Sequence, residues 1–210
     1  MKISKPDLRG ISNIIFDFGG VLIDIDYEAV REAFQKIGLQ NVSAFYQHES
    51  HSQLVEDFEQ GIISPTTFRN EIIKDIGKPV SYESFDKAWN AILKEVPANR
   101  IKLLERLSSD FNLYLLSNTN VIHYEKYTRD FRKQHGKELR SFFIKAYFSH
   151  EIKMRKPNQD IFKYIVNDAG IEKGKTLFID DAEKNIHSAR EVGLNAFLKP
   201  QDKELTHFFT

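Results

Sequence analysis

Hydrophobic residues along this chain follow two alternating patterns, one typical of buried strands and one typical of helices. Four short apolar runs are expected to form strands buried on both faces: NIIFDF (13–18), FNLYLLS (111–117), KAYFS (145–149) and TLFID (176–180). Between and after these runs, apolar residues recur at helical spacing over 101–107, 161–166 and 186–192. This order predicts an α/β fold, in which a parallel sheet carries helices on both faces.

The long interval between the first two predicted strands is different, because it contains no run typical of a strand. Apolar residues there recur at helical spacing in three groups, which are Val30, Phe34 and Ile37, then Phe68, Ile72 and Ile76, then Phe85, Trp89 and Ile92. Ser64 with Pro65, and Ser81, are typical helix starts, and Gly77 is a typical helix end. We therefore expect an all-helical cap, residues 27–98, inserted into an α/β core formed by residues 1–26 and 99–210.

The overall composition narrows the partners of this protein. Its 210 residues are 41% hydrophobic, and 30 basic residues balance 30 acidic ones, so no net charge attracts it to nucleic acid or to an anionic membrane. The chain has no cysteine, which excludes disulfides, and no apolar segment of signal-peptide or membrane-spanning type. We expect a cytoplasmic protein, a monomer or weak homodimer, whose partner is a small molecule.

Polar side chains stand at the carboxyl ends of the predicted strands, where ligands bind in an open parallel sheet. The first strand ends at Asp17, the second at Ser117 and the fourth at Asp180 and Asp181, while Lys156 precedes the helix expected after the third. Each of these residues alone is ordinary turn chemistry. Together, three carboxylates in one crevice repel one another unless they are protonated or share a cation, and Mg²⁺ suits such a set.

Residues next to these charges are suited to a phosphate group. Gly19 and Gly20 allow a sharp turn that leaves a carbonyl for the metal and amides for an oxyanion. Ser117 and the amide of Asn118 can donate hydrogen bonds to phosphate oxygens. Lys156 is followed by Pro157, which is expected to begin a helix over residues 158–169, and the positive end of that helix also attracts an anion.

In this setting Asp17 is a candidate nucleophile. Its carboxylate can attack phosphorus to form an aspartyl phosphate, while the metal ion and Lys156 hold the charge of the transferred group. Asn185 lies four residues after Asp181 and is expected to orient it from the same helical face. The residue types thus predict phosphoryl transfer.

Four segments, in this order and spacing, resemble the motifs of the haloacid dehalogenase superfamily. They are IIFDFGGVL at Asp17, LLSNTN at Ser117, MRKP at Lys156 and FIDDAEKN at Asp180 and Asp181. Within that superfamily, FDFGGVLIDID and the cap stretch FEQGIISPTTF (58–68) are similar to the α-D-glucose-1-phosphate phosphatase group.

The resemblance implies a Rossmann-like core and a Mg²⁺-dependent phosphatase that hydrolyses a small phosphorylated metabolite. It implies that Asp17 is the phosphorylated residue, that the Gly19 carbonyl and Asp181 bind Mg²⁺ directly, and that Asp180 binds it directly or through water. Gly20, Ser117, Asn118 and Lys156 would hold the phosphoryl group. A sugar phosphate such as a hexose 1-phosphate is the expected substrate.

One residue departs from the pattern of that superfamily, whose usual Asp-x-Asp motif has a second aspartate where this chain has Gly19. That aspartate protonates the leaving oxygen, a role that typically contributes about 10²–10⁴-fold. A hemiacetal oxyanion needs less protonation than an ordinary alkoxide, which favours a sugar 1-phosphate. Asp24 and Asp26 are possible substitutes, although they are better explained as residues of the cap hinge.

The missing acid leaves two alternatives open. One is a 2-haloacid dehalogenase, and the other is a non-catalytic, regulatory phosphosugar-binding protein. Substrate specificity is expected to reside in the cap, where Glu59, Gln60 and Ile63 are candidates. The pair His48 and His51 lacks a third metal ligand and is assigned to the cap surface.

Overall fold

The protein is built on a five-stranded sheet, seen in a computed structural model that describes residues 5–39 and 49–209. The strands are β1 (Asn13–Phe16), β2 (Asn112–Ser117), β3 (Lys145–Phe148), β4 (Thr176–Asp180) and β5 (Asn195–Leu198). All pairings are parallel, in the spatial order β3-β2-β1-β4-β5. The predicted α/β class is therefore confirmed, with a fifth strand that the sequence pattern missed.

Helices connect the strands and also occupy the interval between β1 and β2. That interval holds α1 (Tyr27–Ile37), α2 (Glu49–Glu59), α3 (Pro65–Ile76), α4 (Tyr82–Trp89) and α5 (Ala98–Leu107). Later in the chain lie α6 (Val121–His135), α7 (Ser149–Ile152), α8 (Gln159–Ala169) and α9 (Glu183–Val192), and short 3-10 helices form at Asn90–Ile92, Leu139–Phe142, Lys173–Lys175 and Leu205–Phe209. None of the helices in the described ranges combines the length and hydropathy that a membrane span requires.

Alternation of side chains along the strands divides the core of the sheet into two layers. On one face Ile14 and Phe16 of β1 pack in a cluster with residues of α5, α6 and the carboxyl-terminal 3-10 helix. On the other face Ile15 packs with residues of α8 and α9. Both faces are covered by apolar residues, which explains why these strands read as continuous hydrophobic runs.

Strand register brings the polar residues at the ends of the strands to one edge of the sheet. Phe16 pairs with Leu115 on one side and with Ile179 on the other, so that Asp17, Ser117 and Asp180 follow at similar height. The Asp17 amide donates to the Ile179 carbonyl at 2.9 Å, which fixes the first residue beyond β1. Three of the predicted polar groups thus meet at the carboxyl edge, as expected.

Three predicted boundaries need correction. β1 ends at Phe16 rather than at residue 18, because the chain turns after Asp17, and β3 ends at Phe148 because Ser149 begins α7. Helix α8 begins at Gln159 with Asn158 as its N-cap, so Pro157 lies before the helix instead of in its first turn.

The helices between β1 and β2 form an apolar cluster of their own. Phe58 stacks on Phe68 with ring centroids 4.1 Å apart, and Trp89 contacts Phe68 edge to face at 4.9 Å. The predicted helix ends are confirmed at three places: the Thr67 amide donates to the Ser64 hydroxyl, the Ser84 amide donates to the Ser81 hydroxyl, and Gly77 ends α3 in the left-handed conformation. His48 and the side chain of His51 lie outside the described part of the chain.

The chain enters and leaves this helical region through two segments that lie side by side. Ile25 and Leu93 form an antiparallel bridge, and the Asp26 amide donates to the Ile92 carbonyl at 2.9 Å. Asp24 pairs with the buried Arg100 at 2.8 Å, and Asp26 caps α1 through the Ala29 amide. Both aspartates are therefore engaged where the chain passes into the helical region.

Candidate functional site

A buried lysine joins two of the carboxylates at the carboxyl edge of the sheet. The Lys156 ammonium lies 2.7 Å from Asp17 Oδ1 and 2.6 Å from Asp180 Oδ2, and it also donates to the Leu116 carbonyl at 3.2 Å. All three charged side chains are buried. An unpaired charge at this depth would cost several kcal/mol, and the two ion pairs offset part of that cost.

The segment that carries Lys156 is fastened by Asn118. The Asn118 side-chain amide donates to the Lys156 carbonyl at 2.8 Å, and the Lys156 amide donates back to Asn118 Oδ1 at 2.9 Å. The side chain of Asn118 is therefore used to position Lys156, while its backbone amide is the group that the sequence predicts to face a phosphate. Ser117 is buried beside it, and its hydroxyl donates a long hydrogen bond of 3.4 Å to the Asn118 carbonyl.

Three carboxylates form a cluster that can hold a metal ion. Asp17, Asp180 and Asp181 each offer an oxygen, and these oxygens all lie within 4.8 Å of one another. Asn185 Nδ2 donates to both oxygens of Asp180 at 3.0 Å. The prediction that Asn185 orients Asp181 is therefore wrong: α9 begins at Glu183, so Asp181 precedes the helix and its side chain points elsewhere.

Asp181 points toward Gly20, which explains why a glycine stands there. A Cβ atom on Gly20 would lie 2.1 Å from Asp181 Oδ2, and the Gly20 φ of +69° is strained for any other residue. The Gly20 amide donates to the Ile23 carbonyl at 2.8 Å, so the amide that the sequence offers to a phosphate is engaged within the turn. Gly19 lines the cavity described next.

A cavity of about 270 Å³ lies above this edge, between the sheet and the inserted helices. The sheet side contributes most of the predicted site residues, namely Asp17, Gly19, Ser117, Asn118, Lys156 and Asp181. The helical side contributes mainly apolar residues, together with Tyr27, Glu59 and Trp89. Of the three cap residues proposed for specificity, Glu59 lines the cavity, whereas Gln60 bonds the Glu56 carbonyl and Ile63 packs into the helical cluster.

Two contacts across this cavity have no signal in the sequence. His123 of α6 stacks on Trp89 of α4, with centroids 5.0 Å apart and planes 11° apart. His123 Nε2 lies 3.1 Å from the Trp89 carbonyl and Nδ1 lies 3.1 Å from Asn120 Nδ2, which fixes a neutral ring that donates through Nε2. Burial lowers the pKa of His123 to about 4, so this ring holds the two sides of the cavity together without carrying a charge.

A second contact joins α2 to the segment before Lys156. The Arg155 guanidinium donates to Glu59 Oε2 at 2.9 Å and also pairs with Glu56 at 2.9 Å. Nearby, the Ser149 hydroxyl donates to the Glu59 carbonyl at 2.6 Å, and a Cβ on Gly61 would lie 2.5 Å from the His150 carbonyl. The end of α2 is therefore held directly against the sheet side of the cavity.

The electrostatics of the carboxylate cluster favour a cation. Burial raises the pKa of Asp17 to about 8, helped by Asp180 and Asp181 and opposed by Lys156. Burial also raises the pKa of Asp181, with Asp180 adding to the effect. Burial alone would lower the pKa of Lys156, but the attraction of Asp17 and Asp180 outweighs it and the pKa is raised. One ammonium thus only partly balances three acids.

This imbalance predicts a pH-dependent stability of the metal-free protein. The unfolded Asp17 has a pKa near 3.8 and the folded one a pKa near 8, so the folded state binds more protons between these values and becomes less stable as the pH rises through them. We expect the free energy of unfolding of the wild type, relative to that of Asp17→Asn, to fall by up to about 1.4 kcal/mol per pH unit where the dependence is steepest. Urea denaturation in chelator at pH 5, 6, 7 and 8 measures both slopes, and equal slopes would contradict the prediction.

The donor set fits Mg²⁺, which prefers oxygen ligands and retains several waters. Asn185 Oδ1 is buried and has no hydrogen-bond partner among the residues that the structure describes, although the amide nitrogen of the same side chain donates to Asp180. An acceptor left free at this position is suited to a water molecule on a bound metal ion. The cluster and the orphaned oxygen therefore agree with a hydrated hard cation.

Known proteins share this fold and sequence over nearly the whole chain. The pattern of the haloacid dehalogenase-like hydrolases matches residues 11–193. D-ribitol-5-phosphate phosphatase from Bacteroides thetaiotaomicron is 31% identical over 187 residues, which cover 89% of this chain and 91% of that protein.

Solved structures of a HAD family enzyme are similar to this chain over nearly its whole length. The HAD family enzyme BT-2542 from Bacteroides thetaiotaomicron superposes with a TM-score of 0.91 at 37% identity, covering 96% of this chain and 99% of that chain. A structure of wild-type BT-2542 in complex with magnesium and inorganic phosphate superposes with a TM-score of 0.87 at 37% identity, covering 95% of this chain and 100% of that chain.

Proposed function

Because this chain belongs to the haloacid dehalogenase-like hydrolases, we propose that it hydrolyses a small sugar or sugar-alcohol phosphate through an aspartyl phosphate formed on Asp17. The chain is a phosphoric monoester hydrolase of that family, and magnesium is its cofactor. The observation that carries the proposal is the Lys156 ammonium placed between Asp17 and Asp180, with Asp181 beside them.

Each residue of this cluster receives a role in the proposed reaction. Asp17 attacks phosphorus, and Lys156 holds the phosphoryl oxygens with Ser117 and the Asn118 amide. Asp17, the Gly19 carbonyl, Asp180 and Asp181 hold Mg²⁺, which when bound neutralises charge on the transferred group. Gly20 makes room for Asp181, and hydrolysis of the aspartyl phosphate by water restores Asp17.

We propose that residues 27–98 act as a cap over a core formed by residues 1–26 and 99–210. The contacts that support this division are those between Arg155 and Glu59 and between His123 and Trp89, because they close the cavity from the helical side. Their breakage would admit substrate, and their formation would exclude water during attack by Asp17.

Two substrate classes have separate support. A hexose 1-phosphate suits the absence of an aspartate at Gly19, because its leaving group needs little protonation. A sugar-alcohol phosphate is supported by the relative from Bacteroides thetaiotaomicron, which is named for its action on D-ribitol 5-phosphate. The three clustered carboxylates favour both over the metal-free dehalogenase chemistry that the sequence left open. The similarity to a phosphatase favours turnover over a protein that only binds phosphosugars.

Release of phosphate, or of chloride from the haloacid, is measured over a substrate panel to test the proposal. The panel contains glucose 1-phosphate, ribitol 5-phosphate, glucose 6-phosphate and 2-chloropropionate, each assayed with Mg²⁺ and with chelator. We expect Mg²⁺-dependent release from the sugar or sugar-alcohol phosphates and no halide release. Binding of these phosphates without turnover would overturn the proposal in favour of a regulatory protein.

A further inference from the structure

The chemistry of an alkyl phosphate requires an acid that the first motif does not supply. Gly19 has no side chain, Asp24 is paired with Arg100, and Asp26 caps α1 and pairs with Lys94. Neither aspartate lines the cavity that holds Asp17. Another protic group must therefore reach the leaving oxygen if substrates with ordinary alcohol leaving groups are to be cleaved.

We propose that Glu59 of α2 is the proton donor to the leaving group and the base that activates water, in place of the missing aspartate. This inference rests on the proposed function. Among the described residues that line the cavity, the carboxylates are Asp17, Asp181 and Glu59. Asp17 is the nucleophile and Asp181 belongs to the metal cluster, so Glu59 is the acid that is free to act on the leaving group.

The geometry of Glu59 leaves one of its oxygens available. Both nitrogens of Arg155 that bond it contact Oε2, at 2.9 Å and 3.3 Å. In the described part of the chain no hydrogen bond to Oε1 is found. Glu59 can therefore keep its bonds to Arg155 through one oxygen and carry its proton on the other.

Other cavity groups are less suited to proton transfer. His123 is neutral and both of its ring nitrogens are occupied. The phenol of Tyr27 stays protonated, because partial desolvation and the nearby Asp181, Asp17 and Glu59 raise its pKa. A phenol whose pKa is raised is a weaker acid than a carboxyl group, so Tyr27 protonates a leaving oxygen less readily than Glu59 does.

The burial of Glu59 makes its carboxyl group easier to protonate than that of an exposed glutamate. Burial raises its pKa, and Glu56 raises it further, while Arg155 and Lys156 lower it. The net direction is upward, toward the range in which a carboxyl group acts as a general acid. This shift supports the assignment, which stands on the position of Glu59 in the cavity.

The proposed steps balance in atoms and protons. As Asp17 forms its bond to phosphorus and the bond to the ester oxygen breaks, the Glu59 proton passes to that oxygen and the alcohol leaves. The Glu59 carboxylate then takes a proton from water, whose oxygen attacks the aspartyl phosphate. Inorganic phosphate leaves, Asp17 regains its carboxylate, and Glu59 is protonated again.

Substrates with different leaving groups test this role. The variant is Glu59→Gln, and the matched control is Glu56→Gln. Glu56 is the other acid that pairs with Arg155, and it does not line the cavity. We expect Glu59→Gln to lower kcat/KM for ribitol 5-phosphate and propyl phosphate by about 10²–10⁴-fold. For 4-nitrophenyl phosphate, whose leaving group needs no proton, kcat/KM of Glu59→Gln should stay within about threefold of the wild type. The control variant Glu56→Gln should stay within about threefold of the wild type on all three substrates.

Several outcomes would overturn the assignment. Full turnover of alkyl phosphates by Glu59→Gln would remove Glu59 from the reaction, and an equal loss on all three substrates would make it a positioning residue of the cap. A loss confined to ribitol 5-phosphate would make it a receptor for substrate hydroxyls. Thermal melting confirms that both variants fold, and failure of the wild type on every phosphate would instead count against the proposed function.

Discussion

Replacement of Asp17 by Asn is expected to lower kcat by about 10⁴-fold or more, because the amide cannot form the bond to phosphorus. Asp17 is buried, lies 2.7 Å from Lys156 and belongs to the carboxylate cluster, so its loss removes the nucleophile and one metal ligand together. Phosphate release from the best substrate of the panel measures the effect at saturating Mg²⁺.

A covalent trap identifies the residue that acts as the nucleophile. Acid quenching during turnover should leave one phosphoryl group on the wild type and none on Asp17→Asn, as measured by intact mass and peptide mapping. Asp160→Asn is the matched control, because it neutralises an exposed acid in the first turn of α8 that does not line the cavity. Phosphate trapped on another residue, or residual turnover within tenfold of wild type, would exclude Asp17 as the nucleophile.

Replacement of Lys156 by Met should reduce both stability and activity. The ammonium is buried against two carboxylates, and its removal leaves them without their counter-charge, at an expected cost of about 3–5 kcal/mol in the free energy of unfolding. We also expect kcat/KM to fall by about 10²–10³-fold, because a donor to the transferred phosphoryl group is lost. Urea denaturation and steady-state kinetics measure the two effects.

Adding Mg²⁺ shows whether the stability loss of Lys156→Met is caused by electrostatics or by packing. Because Mg²⁺ supplies positive charge beside the same carboxylates, it should restore part of the stability of Lys156→Met but not its activity. Lys163→Met is the control, since Lys163 is an exposed lysine of α8 that faces no carboxylate cluster. A stability loss that is the same with and without Mg²⁺ would assign the effect to packing.

The sheet edge could be predicted from sequence because parallel strands end together. Asp17, Ser117 and Asp180 each follow an apolar run, and topology alone brings such residues to one place. The side-chain directions around them follow no such rule. Asn185 holds Asp180 rather than Asp181 because the helix starts two residues after Asp181, a boundary shift that a periodic pattern does not resolve.

Contacts between the inserted helices and the sheet could not be predicted from the sequence. Arg155 and Glu59 are 96 residues apart, and their pairing depends on how the end of α2 is placed against the sheet. Strand β5 was missed for another reason: it is a four-residue edge strand, half exposed, with too little apolar sequence to stand out. Local pattern identifies elements, whereas these features arise only when elements meet.

The side-by-side passage of the chain through Ile25 and Leu93 has an evolutionary consequence. An insertion whose ends are neighbours can be shortened, lengthened or exchanged by recombination without changing the spacing of the strands. Asp17, Lys156 and the carboxylate cluster would then be inherited unchanged, while the helices that cover the substrate diversified. Grafting the segment between these residues from a relative is thus a route to new substrate selectivity that leaves the sheet intact.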